Sequence, residues 1–221
     1  MKDYIVAETY IHLKIDPSSQ LKASILELLK DKVELYGKEY LSPEAEYICI
    51  IEDGSLRVWV VAIGVTIIEL ISNYGSFRDG IDHIVSDATY FSEHVINEVK
   101  NEPNISEEVI FRTERRLGIP GKIQRIYNQA EYIQKNYENL SPNEVRKSLE
   151  ELQTDIIRVC NTINDNEREL FLINLPTIVR ESLPKHIPIR PELRLNRYVI
   201  REDERRRAQF IIIPRRNRPG S

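Results

Sequence analysis

The sequence is poor in the residues that build the commonest enzyme sites. Glycine occurs only eight times in 221 residues, and no glycine-rich loop of the kind that binds phosphates is present. No serine lies in a Gly-x-Ser-x-Gly turn, and the four histidines and two cysteines lack the spacing of a metal site or a catalytic triad. These absences favour a protein that is not an enzyme and that holds no cofactor.

Cysteines, signals and long apolar runs are also scarce. Cys49 and Cys160 lie far apart in apolar segments, which predicts buried free thiols in a reducing compartment. The N-terminus MKDYIVAETY lacks the basic and apolar regions of a secretion signal, so a cytoplasmic protein is expected. The longest uncharged run, Val58 to Ile68, has 11 residues, whereas a membrane helix needs about 20. A membrane protein is therefore not expected.

Charge is distributed unevenly along the chain. Residues 1–183 carry a formal charge of −11 and residues 184–221 carry +7. Prolines interrupt the second segment, which predicts an extended arm. Such an arm is expected to dock on an acidic surface or a polyanion. Its arginines are candidate contacts to a partner or to nucleic acid: Arg194, Arg197, Arg201, Arg205, Arg206, Arg207, Arg215 and Arg216. The apolar run FIII inside the arm is typical of a strand added to a sheet, in this chain or a neighbour's.

Apolar spacing over the first hundred residues predicts a β-α-β-β layer. Residues 4–15 alternate between the two faces of a half-buried strand, and a helix over 21–36 follows and ends at Gly37. The segments EYICIIE and SLRVWVV flank Asp53-Gly54, a dipeptide that favours the positive φ angles of a tight hairpin turn. The second strand is expected to give way to a buried helix near Gly64.

A long helix is predicted over residues 76–100. Ser76 with Asp79 forms an N-terminal capping pattern, and an apolar stripe runs from Phe77 to Val99. The opposite face carries polar residues spaced 4, 4, 3 and 4 apart. Histidine and aspartate four residues apart on a helix can share a metal ion, although most such faces are only solvated. This candidate metal or acid/base face consists of Asp79, His83, Asp87, Tyr90 and His94.

The chain after the long helix is predicted to be helical. Asn104 and Glu107 form another capping pattern, and the short helix that they open would end at Gly118. Two apolar stripes, over residues 119–137 and 145–163, repeat at alternating spacings of 4 and 3. They predict an antiparallel helical hairpin or, equally, a seam between subunits.

A basic cluster surrounds the turn before the first of these stripes. The segment 111–127 reads as helix, Gly-Ile-Pro-Gly turn and helix, which is similar to the helix-turn-helix of DNA-binding proteins. The match is loose, because Glu114 stands where a small residue is usual. The alternative is a helix corner whose arginines pair with the abundant acids. The basic residues of the segment are Arg112, Arg115, Arg116, Lys122 and Arg125.

Two stretches, YGSFRDGIDHIVSDATYFSEHV and RTERRLGIPGKIQRI, resemble segments of uncharacterised bacterial proteins. The resemblance covers residues 46–135 and implies no activity, substrate or site residue. It implies an accessory component of a bacterial multi-protein system, of the kind encoded in phage-defence or toxin gene clusters.

These observations predict an α+β protein in three parts. Residues 1–103 would form the β-α-β-β layer packed on the long helix, residues 104–183 a helical hairpin or bundle, and residues 184–221 the basic arm. The preferred function is non-enzymatic: an assembly or adaptor protein whose arm docks on a protein partner or a second copy. The alternatives are a nucleic-acid-binding protein using the 111–127 corner and the arm, and a metal-dependent or acid/base enzyme using the polar helix face.

Overall fold

The computed structural model describes residues 5–15, 18–42, 45–52, 56–63, 67–71, 76–185, 187 and 208–213. The chain divides into a sheet unit (Ile5–Val65, Ser86–Gly118, Arg197–Ser221) and a helical unit (Met1–Tyr4, Thr66–Val85, Ile119–Asn196). In chain order the elements are β1 (Ile5–Leu13), α1 (Ser19–Tyr36), a π-helical turn (Gly37–Leu41), β2 (Glu46–Glu52), β3 (Leu56–Ile63), α2 (Ile67–Ile71), α3 (Phe77–Lys100), a 3₁₀ turn (Glu107–Val109), β4 (Ile110–Arg116), α4 (Ile119–Asn136), α5 (Pro142–Thr162), α6 (Asp165–Ile173), α7 (Thr177–Ser182) and β5 (Ala208–Ile213).

The sheet unit is built on a five-stranded antiparallel sheet in the order β4-β1-β3-β2-β5. Its first four strands, with α1 and α3, follow the β-α-β-β-α-β connectivity of the ferredoxin-like arrangement. The predicted α+β class is confirmed. The β2–β3 hairpin is confirmed as well, since the strands pair up to Glu52 and Arg57; the Asp53-Gly54 turn lies outside the described residues.

One face of the sheet is buried and packs against α1 and α3. Alternate residues of β1 from Ala7 to Leu13 have no exposed surface. Tyr47 of β2 contacts the ring of Phe91 on α3, with 5.7 Å between the ring centroids. It also lies against Gly37, where a Cβ would overlap the phenol ring. The α-helix ends at Tyr36, next to the predicted stop, but Gly37 keeps helical angles (φ −63°) and the chain continues as a π-helical turn to Leu41. The glycine is therefore required for space rather than for a left-handed cap.

The segment after α3 is the main correction to the predicted fold. The helix predicted between Asn104 and Gly118 is wrong, because this part of the chain forms one 3₁₀ turn and then the edge strand β4. β1 supplies the pairing partner, from Glu8 opposite Arg116 to His12 opposite Arg112. Long-range strand pairing thus outweighs the local capping pattern. Strand β4 belongs to the sheet, although it falls in the predicted helical region.

The other edge of the sheet comes from the predicted arm. The apolar run FIII forms part of β5, which confirms the expected strand. β5 pairs with β2 of the same chain, from Ala208 opposite Glu52 to Ile213 opposite Tyr47. Most of the remaining arm lies outside the described residues. The strand therefore completes the chain's own sheet in this structure.

The long helix and its cap are confirmed. The Asp79 N–H donates to Ser76 Oγ at 3.1 Å, and the Ser76 hydroxyl donates to the Asp79 carboxylate at 2.7 Å. All seven residues of the predicted apolar stripe are buried: Phe77, Ile81, Ile84, Ala88, Phe91, Val95 and Val99. An amphipathic helix of this length needs a continuous apolar partner along one side.

The helical unit contains the predicted helical hairpin, in which α4 packs against α5. Both apolar stripes are largely buried, so they are used within the chain. Reciprocal capping boxes start α5 at Ser141 and α6 at Asn164, and Pro176 separates α6 from α7. None of the described helices is long and apolar enough to cross a membrane.

Candidate functional site

The sheet face opposite α1 and α3 carries a cluster of aromatic and cationic side chains at its β4 end. Strand register brings the cluster together: Tyr10 lies between Glu114 and Trp59, and His12 lies between Arg112 and Arg57. These residues are distant in sequence and become neighbours only because β1 is flanked by β3 and β4. We call the cluster the β1–β4 surface; it comprises Glu8, Tyr10, His12, Lys14, Arg57, Trp59, Phe111, Arg112, Glu114 and Arg116.

An aromatic pair with a stacked cation forms the inner part of this surface. The rings of Tyr10 and Trp59 lie 4.3 Å apart at 43°. The guanidinium of Arg116 lies 5.4 Å from the Trp59 ring centroid, within the range of a cation–π contact. Tyr10 is buried, whereas Trp59 keeps part of its surface exposed. The pair therefore supports the guanidinium of Arg116, whose side chain is 49% exposed, while the indole N–H of Trp59 is buried with no hydrogen-bond partner among the described residues.

Phe111 supplies the exposed ring of the surface. The β1–β4 register shifts between His12 and Leu13, which lie opposite Arg112 and Ile110, so Phe111 is the residue of β4 that the shift skips. The Phe111 ring makes an edge-on contact with His12 at 5.1 Å and lies 4.2 Å from Lys14 Nζ. It nevertheless remains 56% exposed. Its ring face is therefore accessible to a partner molecule.

The arginines of the surface are held by two carboxylates. Arg116 bonds Glu8 at 2.7 Å and Glu114 at 2.6 Å, and Glu114 also pairs with Arg112. The side chains of Arg112 and Arg116 remain 62% and 49% exposed, while Glu8 is almost fully buried. Burial works to lower the pKa of Arg116, but its bonds with Glu114 and Glu8 raise it above the usual value. Arg116 therefore stays charged and fixed.

The helix-turn-helix interpretation of segment 111–127 is wrong, because its first half is strand β4. Arg112 and Arg116 lie on the β1–β4 surface, and Arg115 faces the other way and pairs with Glu93 of α3. Lys122 and Arg125 are exposed on α4 in the helical unit. The predicted basic cluster is therefore divided between the two units.

Two amide side chains of α4 are engaged within the helical unit. Gln124 donates to Asp82 at 2.7 Å, and Arg78 of α3 donates to the side chain of Asn128. Arg78 also pairs with Asp82. These bonds attach α4 to the first turns of α3, which is a structural role. The arm arginines predicted as contacts, from Arg194 to Arg216, lie outside the described residues.

The polar face predicted on the long helix is also divided. Asp79 and His83 are exposed in the helical unit, whereas Asp87, Tyr90 and His94 belong to the sheet unit. Within the described part of the chain, no group of three His, Cys, Asp or Glu side chains could hold a metal ion.

His94 takes part in an aromatic cluster. Its Nδ1 donates to the carbonyl of Tyr90 at 2.8 Å, and its ring lies 5.0 Å from Tyr36 and 5.1 Å from Tyr40. Tyr36 in turn donates to Glu98, and this bond raises the pKa of Tyr36 to about 12. These contacts fasten the end of α1 to α3. These ring contacts give His94 a packing role within the sheet unit.

Sequence reasoning missed Tyr10, His12, Trp59 and Phe111 as site residues. They are spread over three strands, with Tyr10 and His12 on β1, Trp59 on β3 and Phe111 on β4, and none belongs to a recognisable motif. The alternation in β1 does place Tyr10 and His12 on one face. Only the pairing of β4 with β1, which sequence reasoning had replaced by a helix, adds Phe111 and two arginines to that face.

Comparisons with known proteins leave the chain without a match: no family model, no curated protein and no solved structure is similar to it. The bacterial resemblance and the accessory role that it implies therefore stay predictions. The surface itself offers ring faces, fixed guanidinium groups and an ammonium group. These groups can stack on planar bases and neutralise phosphates.

Proposed function

We propose that the protein binds single-stranded nucleic acid on the β1–β4 surface. The observation that carries the proposal is the juxtaposition of Trp59 and the exposed Phe111 with the guanidinium groups of Arg112 and Arg116 on one sheet face. Rings stack on any base, and cations follow the phosphate backbone, so the combination suits a single strand without strong sequence preference.

The protein's overall acidity is compatible with this role because binding depends on the local field. The surface carries four cationic side chains, Lys14, Arg57, Arg112 and Arg116, against two carboxylates, Glu8 and Glu114. Four-stranded sheets of the RNA-recognition-motif type also stack bases on surface aromatic rings. That likeness is one of layout and chemistry, and it assigns no role to any residue here.

A binding titration with matched variants tests the proposal. Labelled oligo(dT) and oligo(U) of about 16 nucleotides, the upper end of site sizes for one such fold, would be titrated with the full chain and followed by anisotropy. Phe111→Ala is expected to weaken binding at least about fivefold, because stacking contributes about 1–3 kcal/mol per base. Tyr132→Ala is the control, since Tyr132 is equally exposed (57%) but lies on α4.

Charge is tested in the same way. Arg112→Gln is expected to reduce the slope of log K against log salt by about 0.7, the value for one phosphate on a single strand. Arg125→Gln, which removes one exposed charge from α4, should leave the slope unchanged. Trp59 is the only tryptophan, so its fluorescence should change on binding. The proposal would be refuted if the protein does not bind single strands at low salt. It would also be refuted if Phe111→Ala lowers the affinity no more than Tyr132→Ala does.

A second candidate is the assembly or adaptor function expected from the sequence. Its support is the edge strand β4, whose outer side is paired with no strand among the described residues. A partner strand can extend such an edge. The apolar stripes of α4 and α5 and the strand β5 do not support it, because they pack within this chain. Light scattering decides: a chain that is monomeric at all concentrations, with or without residues 184–221, contradicts self-assembly through the arm.

A further inference from the structure

Glu114 occupies an unusual position at the centre of the cationic groups. It lies on β4 two residues from each of Arg112 and Arg116, so all three side chains project from the same face of the strand. Its carboxylate contacts the Arg112 guanidinium with one oxygen and the Arg116 guanidinium with the other, at 2.6 and 2.8 Å for Arg116. A ligand phosphate would present the same charge and the same pair of oxygens to these arginines.

We propose that Glu114 is a built-in competitor that restrains nucleic-acid binding at the β1–β4 surface. The inference rests on the binding function proposed above and adds a regulatory residue to it. While Glu114 holds both guanidinium groups, a phosphate must displace the carboxylate or bind beside its negative charge. Like charges placed together oppose association. Binding then depends on the rings as well as the cations, which disfavours ligands that bring phosphates alone.

Glu8 differs from Glu114 in a way that supports this division. The Glu8 side chain is 8% exposed and the Glu114 side chain is 18% exposed. Glu8 lies on β1, an inner strand of the sheet, and bonds Arg116. It can therefore hold that guanidinium in place while Arg112 stays available to a ligand. Glu114 can therefore swing away without leaving Arg116 unpartnered. Displacing Glu8 instead would separate a buried carboxylate from the guanidinium of Arg116, which is costly.

The decisive variant is Glu114→Gln, which keeps the size of the side chain and removes its charge. Oligo(dT) binding is expected to tighten by about 2- to 30-fold, the range for two partly exposed ion pairs that no longer compete. The salt slope should also steepen by about 0.7 for each guanidinium released. Glu108→Gln is the control, because it makes the same change in net charge at an exposed position on the 3₁₀ turn.

Glu114→Asp separates geometry from charge. Its shorter side chain keeps the charge but cannot span both guanidinium groups, so a partial gain in affinity is expected. Urea unfolding of each variant, followed by Trp59 fluorescence, checks that every variant has a folded sheet before the affinities are compared. Tighter binding with a steeper slope in Glu114→Gln than in wild type supports the inference. If wild type binds and Glu114→Gln behaves like Glu108→Gln, the inference falls and the binding function stands; if wild type does not bind single strands at low salt, both fall.

Discussion

Gly118 provides a direct test of the corrected fold. It follows β4 and lies against the first residue of β1, where an added Cβ would fall well inside 3.0 Å of the Ile5 carbonyl oxygen and carbon. These are backbone atoms of a paired strand, so they cannot turn aside as a side chain could. Its backbone does not have a positive φ angle. The glycine is therefore required for the close approach of two chain segments.

The size of the destabilisation by Gly118→Ala follows from the backbone segments that must move apart. Relief of the overlap pushes the end of β4 away from β1, and overpacking of this kind costs about 1–3 kcal/mol. One or two strand hydrogen bonds near Glu8 and Arg116 would weaken as well, at about 1 kcal/mol each. Gly118→Ala is thus expected to destabilise the sheet unit by about 2–5 kcal/mol. The assay is urea unfolding followed by the fluorescence of Trp59 on β3.

Gly118→Asn distinguishes the two explanations of this glycine. Had Gly118 ended a helix in the left-handed conformation, asparagine would be tolerated better than alanine. With the strand arrangement, asparagine is larger at a position without space and should be at least as harmful as alanine. A Gly118→Asn protein that is clearly more stable than Gly118→Ala would refute the β4 assignment at this end.

Three further predictions concern groups away from the proposed site. Thr9 has a fully buried hydroxyl with no hydrogen-bond partner among the described residues, so Thr9→Val should raise the free energy of unfolding by about 1 kcal/mol in urea titration. Cys49 and Cys160 are free and buried, as predicted, and burial raises the pKa of Cys49 to about 12 and of Cys160 to about 11; both should resist a thiol reagent until the chain unfolds, and rapid labelling of the native protein would contradict their burial. The bond to Glu98 favours the protonated Tyr36 phenol, so its contribution to stability should be lost as pH rises from 10.0 towards about 12; Glu98→Gln should lower the pKa of Tyr36 in a spectrophotometric titration, and an unchanged titration would show that the bond is absent.

Local signals predicted the elements well where a single segment contains all the information. The Ser76 cap and the apolar stripe of α3, the β2–β3 hairpin and the α4–α5 pair each follow from spacing within one stretch. Prediction failed at residues 104–118, where a capping pattern and scattered apolar residues were interpreted as a helix. An edge strand with a polar outer side has little local signature, since its pairing partner lies about a hundred residues away.

The composition of the candidate site was even harder to predict from local sequence signals. Arg112 and Arg116 were singled out from the sequence for their charge, but as parts of a helical corner with Lys122 and Arg125. The structure groups them instead with Tyr10, Trp59 and Phe111, because residues two apart on a strand share a face and neighbouring strands align their rows. The spacing of residues along the sequence does not reveal which of these side chains lie together on the sheet.

The sequence by itself determined the α+β class, the long two-faced helix, the buried thiols and the helical hairpin, because periodicity and capping act over a few residues. Tertiary structure decided the place of β4 at the sheet edge, the use of β5 within the same chain and the composition of the β1–β4 surface. Those features depend on which distant strands pair. Pairing is set by the burial of whole faces and by shared backbone hydrogen bonds, so it is a property of the assembled sheet rather than of any one segment.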